Sequence, residues 1–167
     1  YTDAIRLDQD SAAAYNNRGY AYRKLGKYQK AVSDYTRSIE LDPSNLKSYN
    51  NRGYSYAKMG NYSAAIKDYS TVISIDPKNT HAYHNRGISY DKLGNRDMAI
   101  QDFSSVLQLD PTNANAYFNR GSALDGLGKY DKAIVDYSKA LELDRTVSPS
   151  NGHVNNSRYQ QQQYGQT

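Results

Sequence analysis

The chain has no cysteine and no tryptophan, only two phenylalanines, two methionines and four prolines. Without cysteine, disulfides and thiolate metal sites are excluded, and the redox compartment stays open. No apolar run approaches the roughly 20 residues that a membrane-spanning helix needs, so no membrane partner is expected. No secretory leader is visible. The chain opens on Tyr1 rather than Met, so the missing leader carries no weight; the compartment is left open, with the cytoplasm as the default expectation. Equally absent are a Gly-rich phosphate loop, a Ser/His/Asp set and a close carboxylate pair suited to acid–base work. The chain is therefore read as a non-enzyme with no cofactor.

Hydrophobic residues make up 38% of the 167 positions. That is low for a compact globule but sufficient for a thin solenoid, where each element buries one stripe against its neighbours. Tyrosine, at 18 residues, carries the aromatic weight; its ring packs while its hydroxyl stays wet. The net charge of +4 is modest and uneven. Residues 12–45 hold six Lys/Arg against three acids, and 46–79 hold five against two, while the later half is balanced or slightly acidic. So mild a gradient does not make a nucleic-acid-binding arm.

What the chain does have is repetition. Tyr15-Asn16-Asn17-Arg18-Gly19 returns as Tyr49-Asn50-Asn51-Arg52-Gly53, Tyr83-His84-Asn85-Arg86-Gly87 and Tyr117-Phe118-Asn119-Arg120-Gly121, with the glycines 34 residues apart each time. A fixed period of this size predicts stacked repeats. Four units follow, at 12–45, 46–79, 80–113 and 114–147. Residues 1–11 match the end of a unit, as Tyr1-Thr2 compares with Tyr35-Thr36, and are expected to form the second helix of a truncated one. Residues 148–167 are rich in Gln and Asn and aperiodic, and are expected to be a flexible polar tail.

Each unit reads as two helices. Ser11 is a candidate N-cap, and Tyr15, Gly19 and Tyr22 share one helical face. Gly26, Gly60, Gly94 and Gly128 are placed to end the first helices in the left-handed conformation that glycine tolerates. A second helix carries Tyr28, Ala31, Val32, Tyr35 and Ile39, and Pro43, Pro77 and Pro111 close the units. Arg18, Arg52, Arg86 and Arg120 each have an aspartate sixteen residues on: Asp34, Asp68, Asp102 and Asp136. The constant spacing predicts an ion pair that joins the two helices of a unit, since a charge beside a packed glycine needs a partner.

Tyr-x3-Gly-x2-Tyr, then Ala-x3-aromatic, then Pro, on this period, resembles the tetratricopeptide repeat (TPR) family over residues 1–147. The resemblance implies an all-α, right-handed superhelical solenoid of helix-turn-helix units. Tyr stands where the family has Trp, and Arg where it has Leu before the glycine. Leu124 replaces Tyr22, Tyr56 and Tyr90; Arg96 replaces Tyr28, Tyr62 and Tyr130; Arg145 replaces the proline.

The resemblance also implies that the first helices line a concave groove that binds protein or peptide segments. Helical spacing places Asn17, Ala13, Tyr20 and Lys24 on one face, with Asn16 and Arg23 flanking it. The equivalents are Lys47, Asn50, Asn51, Tyr54, Ala57 and Lys58; His81, His84, Asn85, Ile88, Asp91 and Lys92; and Asn115, Phe118, Asn119, Ser122, Asp125 and Gly126. Asn17, Asn51, Asn85 and Asn119 form an asparagine ladder. Each amide offers both a donor and an acceptor, so it can grip a peptide main chain. The pattern resembles the ladder in the TPR superhelix of O-linked GlcNAc transferase. The family's carboxylate clamp is not matched, because Asn16, Tyr20, His81 and Asn85, or Asn50, Tyr54, Asn115 and Asn119, occupy its positions. Arg23, Lys24, Lys47 and Lys58 bias the first half of the groove toward acidic segments, and Asp91 and Asp125 oppose this in the second half.

The expected site residues are thus Asn17, Asn51, Asn85, Asn119, Asn16, Asn50, His84, Tyr20, Tyr54, Arg23, Lys24 and Lys58. His81 and His84 share a helix face but are explained as well by a polar groove as by a metal. Asn61 and Asn155 open glycosylation sequons, a triplet that arises often by chance. Two other readings of function stand beside peptide binding. One is head-to-tail self-assembly into a homo-oligomer or filament through uncapped solenoid ends. The other is RNA binding by a helical repeat, which the modest charge and the acids in the groove disfavour.

Overall fold

A computed structural model describes residues 10–147, with only the backbone at 145–147. Of the half unit expected at 1–11, residues 1–9 lie outside the described residues, as do the tail expected at 148–167 and the Asn155 sequon. Within them the chain is all helical: α1 (Ala12–Lys24), α2 (Tyr28–Leu41), α3 (Leu46–Lys58), α4 (Tyr62–Ile75), α5 (Thr80–Lys92), α6 (Arg96–Leu109), α7 (Ala114–Asp125) and α8 (Tyr130–Val147). Each odd-numbered helix pairs with the even-numbered helix that follows it, and that helix packs in turn on the next first helix. None of these helices is long and apolar enough to cross a membrane.

Local chemistry sets the boundaries. Ser11, Asn45, Asn79 and Asn113 cap the first helices, each side-chain oxygen accepting the backbone N–H three residues on, which satisfies one of the free donors at a helix start. Gly26, Gly60, Gly94 and Gly128 take φ values of 70° to 79°, a region costly for residues with a Cβ. At the unit boundaries Asp42, Asp76 and Asp110 turn back to accept the N–H of Ser44, Lys78 and Thr112 across the proline.

Within a unit the two helices meet at the motif glycine. A Cβ on Gly53 would lie 2.9 Å from the Tyr69 ring, and one on Gly87 would lie 2.8 Å from Phe103. These rings are almost fully buried, as are Ala31, Ala65 and Ala99 on the second helices. The expected ion pair is present in every unit and is bidentate. Arg52 Nε and Nη2 donate to Asp68 at 2.9 and 2.8 Å. Arg18–Asp34, Arg86–Asp102 and Arg120–Asp136 repeat the geometry.

The third nitrogen of the guanidinium does something else. Arg52 Nη1 donates to Thr36 Oγ1, Arg86 Nη1 to Ser70 Oγ and Arg120 Nη1 to Ser104 Oγ, at 2.9–3.1 Å. Each of these three arginines therefore ties its own unit together and also holds the second helix of the unit before. The signal for this was in the sequence as a hydroxyl sixteen residues before each arginine, at Thr36, Ser70 and Ser104. The arginine also lies over two tyrosines of its own helix, such as Tyr49 and Tyr56 for Arg52. At Arg120, Leu124 leaves it Tyr117 alone.

Candidate functional site

Consecutive first helices touch one another, whereas consecutive second helices do not. The first helices therefore run along the inside of the curve, and their outward faces form its concave surface. Ala13, Asn17, Tyr20 and Lys24 are all exposed on α1, as the helical spacing predicts. Lys47 and Lys58 on α3, His81 and Lys92 on α5, and Asn115 on α7 are exposed in the same registers, with Asn51, Asn85 and Asn119 half-buried between them.

Asn51 Nδ2 donates to Asn16 Oδ1 of the preceding unit at 3.4 Å. Asn119 Nδ2 meets His84 Nε2 of the preceding unit at 3.2 Å. These bonds join neighbouring first helices and fix the amide planes. A tethered asparagine still keeps its second N–H and its carbonyl for another partner. Asn16, Asn50 and His84 sit at the seam between units. Asn50 Oδ1 is buried without a hydrogen-bond partner, because Ser48, which donates to Asn16 at the first seam, has Ala82 as its counterpart at the second.

His84 packs edge-on to Phe103 at 5.7 Å. Burial, helped by the neighbouring charge of His81, lowers its pKa to about 4. The ring is thus neutral at ordinary pH, and Nε2 accepts from Asn119. Phe118 holds the same register one unit on and packs on Tyr137 at 5.5 Å. Among the described residues no group of three or more His, Asp or Glu is placed to hold a metal.

The cations of the first half are arranged around tyrosine rings. Arg23 Cζ lies 4.7 Å from the ring centre of Tyr20 and 4.8 Å from that of Tyr54 in the next unit. Lys24 lies over Tyr20 and Lys58 over Tyr54. Beneath them the Tyr35 hydroxyl is pushed up to about 12 by burial, with Arg23 pulling the other way. Helical spacing brought these residues to one face, but not the bridge that Arg23 makes between units. Further along, Arg96 extends over the last unit, where a Cβ on Gly126 would run into its guanidinium. Two departures from the repeat, Arg96 and Gly126, thus belong together.

The tetratricopeptide repeat family model matches residues 12–45, 46–79, 81–113 and 114–147. The chain belongs to the tetratricopeptide repeat family. No curated protein sequence matches it significantly. Among solved structures it is similar to a crystal structure of MamA, at 24% identity and TM-score 0.86, covering 90% of this chain and 88% of that one. It is similar to MamA 41-end from Desulfovibrio magneticus RS-1, at 22% identity and TM-score 0.82, covering 85% and 80%. It is also similar to the first TPR of Spaghetti (RPAP3) bound to the HSP90 peptide SRMEEVD, at 28% identity and TM-score 0.69, covering 72% and 96%. TPR proteins generally mediate protein–protein interaction. The all-α solenoid places this chain with them in fold.

Proposed function

We propose that this TPR protein is an interaction scaffold whose concave surface holds an extended peptide segment of a partner protein. The observation that carries the reading is one asparagine in the same register on four successive first helices: Asn17, Asn51, Asn85 and Asn119. The tethers from Asn51 to Asn16 and from Asn119 to His84 pre-orient two of these amides, which lowers the ordering cost of binding. An extended chain presents main-chain N–H and C=O groups at regular intervals, and side-chain amides can serve both. Each bond contributes about 1 kcal/mol net, so four supply about half of the roughly 8 kcal/mol that micromolar affinity needs, and flanking contacts are left to supply the rest. The similar Spaghetti TPR structure, which contains a bound peptide, is in keeping with this use of the surface.

The test is a displayed library of unstructured peptides, selected on the wild-type protein and on a variant with all four asparagines changed to alanine. The expected result is recovery of binders by the wild type and their loss in the variant, with an unchanged helical circular dichroism spectrum. Binders that hold equally well to both proteins would remove the ladder from the mechanism.

A second reading has its own observation. Val32 and Ile39 on α2 are 6% and 9% exposed, whereas Ile134 and Leu141 in the same registers of α8 are 62% and 44% exposed. Leu107, in the Leu141 register of α6, is buried against Val106 and Ala116, with Tyr117 packed on them. A first helix with an Ala-Tyr pair like that of α7 therefore fits the open face, and association of copies through α8 follows. Light scattering over a concentration series, with Ile134→Asp as the control, tests it: a mass independent of concentration excludes it.

A further inference from the structure

We infer that Lys24, Tyr20, Arg23, Tyr54 and Lys58 form a subsite for consecutive acidic side chains within an extended peptide, and so fix the direction in which the peptide lies. The inference rests on the groove reading above and adds to it the chemistry and polarity of the occupant.

Arg23 is central. It makes no ion pair among the described residues, unlike the four motif arginines, each of which is matched by a buried aspartate. Its Nε is buried without a hydrogen-bond partner, as is the Tyr35 hydroxyl, on which Arg23 acts. The guanidinium is flanked by two rings, Tyr20 from its own unit and Tyr54 from the next, and carries no carboxylate among the described residues. A cation held by ring faces keeps its charge available to an anion, because the ring quadrupole attracts it without neutralising it. Lys24 and Lys58 add two more cations over the same rings, at 5.5 and 5.4 Å, and neither has a carboxylate partner among the described residues. Tyr20 is 43% exposed, so the surface is open on the concave side.

Three points select the occupant. The cations are strung along two rings instead of converging on one point, which matches successive carboxylates better than a single phosphate dianion. The strip ends after two units: Ile88 and Ser122 take the tyrosine register, and Asp91 and Asp125 take that of Arg23. A nucleic acid, with a negative charge at every step, would meet repulsion in the second half. A peptide with an acidic stretch followed by a neutral or basic one would not, although Arg96, 3.9 Å from Asp91, partly offsets the first of these acids. Finally, the side chains that carry the charge all come from the last turns of two successive first helices. They do not form a pocket for a chain terminus, so a free C-terminal carboxylate is not required.

The experiment uses fluorescence anisotropy on the full chain with a labelled, C-terminally amidated Glu/Ser/Gly peptide. The parallel probes are the same peptide with Gln for Glu, a phosphoserine version without Glu, the free-acid version and polyuridylate. The expected result is that the Glu peptide binds and weakens with added salt, that amide and free acid bind alike, and that Arg23→Gln weakens binding about tenfold. Asn51→Ala should weaken the Glu and Gln peptides alike, since it removes a main-chain contact. Equal affinity for the Glu and Gln peptides, or a Glu affinity unmoved by Arg23→Gln, overturns the subsite while the groove reading stands. Tighter binding of the phosphoserine peptide or of polyuridylate overturns the choice of occupant. Failure of every peptide overturns both readings. Unchanged circular dichroism of each variant keeps the comparison free of folding defects.

Discussion

Ser38 and Ser48 face each other across the seam between the first and second units, with their hydroxyl oxygens 2.8 Å apart and buried. Ser38 also donates to the Ala12 carbonyl and Ser48 to Asn16 Oδ1, so two hydroxyl protons are shared among three short contacts. At the next two seams the same registers hold Val72 with Ala82 and Val106 with Ala116. The chain thus contains a polar and an apolar solution to one packing problem. Removing one member of a buried hydrogen-bonded pair costs more than replacing both by apolar groups of matching shape. Ser48→Ala alone is expected to cost about 1–2 kcal/mol, and Ser38→Val with Ser48→Ala to cost little. Urea denaturation of the single and double variants checks this.

The motif arginines lead to a coupling experiment. Arg52 and Asp68 side chains are only 17% and 5% exposed; burial, the largest single influence, pulls the Arg52 pKa down, and the hydrogen bond and charge of Asp68 with the nearby Tyr56 and Tyr49 together hold it above its ordinary value. Arg52→Leu leaves a buried carboxylate unpaired and is expected to destabilise by about 3–5 kcal/mol. Adding Asp68→Leu should recover a large part of that loss. A double-mutant cycle with no coupling would contradict the pairing. Thr36→Val, which removes only the link to the preceding unit, should cost about 1 kcal/mol.

Glycines in two registers are expected to respond differently. At Gly53 an added Cβ meets the Tyr69 ring at 2.9 Å, and overpacking of this kind costs about 1–3 kcal/mol. At Gly60 nothing lies within 4 Å, but φ is 77°, so Gly60→Ala costs about 1–2 kcal/mol through backbone strain alone. Shortening the opposing ring with Tyr69→Leu should relieve Gly53→Ala and leave Gly60→Ala unchanged. Thermal melts of the four proteins separate the cases.

His84 predicts an acid-side loss of stability. Its pKa falls from 6.5 to about 4 on folding, so the unfolded chain binds more protons between these values. The stability it contributes is complete above pH 6.5 and is lost as pH falls toward 4, on the order of 3 kcal/mol in all. His84→Phe, copying Phe118 of the next unit, should flatten stability over that window. Denaturation midpoints from pH 7 to 4 test the difference.

Much of this architecture was legible in the chain because a repeat writes the same constraint four times. The period, the Ser11 cap, the helix-ending glycines and the Arg–Asp pairs depend on spacings of a few residues or on one repeated offset of sixteen. Each is fixed by helix geometry or by the need to pair a buried charge. The face that carries Asn17, Tyr20 and Lys24 follows from the same 3.6-residue periodicity. What spacing within a unit does not contain is the contact between units. Only the stacked structure brings Arg23 between Tyr20 and Tyr54, turns Asn51 to Asn16 and Asn119 to His84, and sends the third arginine nitrogen to Thr36, Ser70 and Ser104. The sequence by itself determined what each unit is. The superhelix decided which side chains of neighbouring units meet, because those distances depend on the angle at which one unit packs on the next.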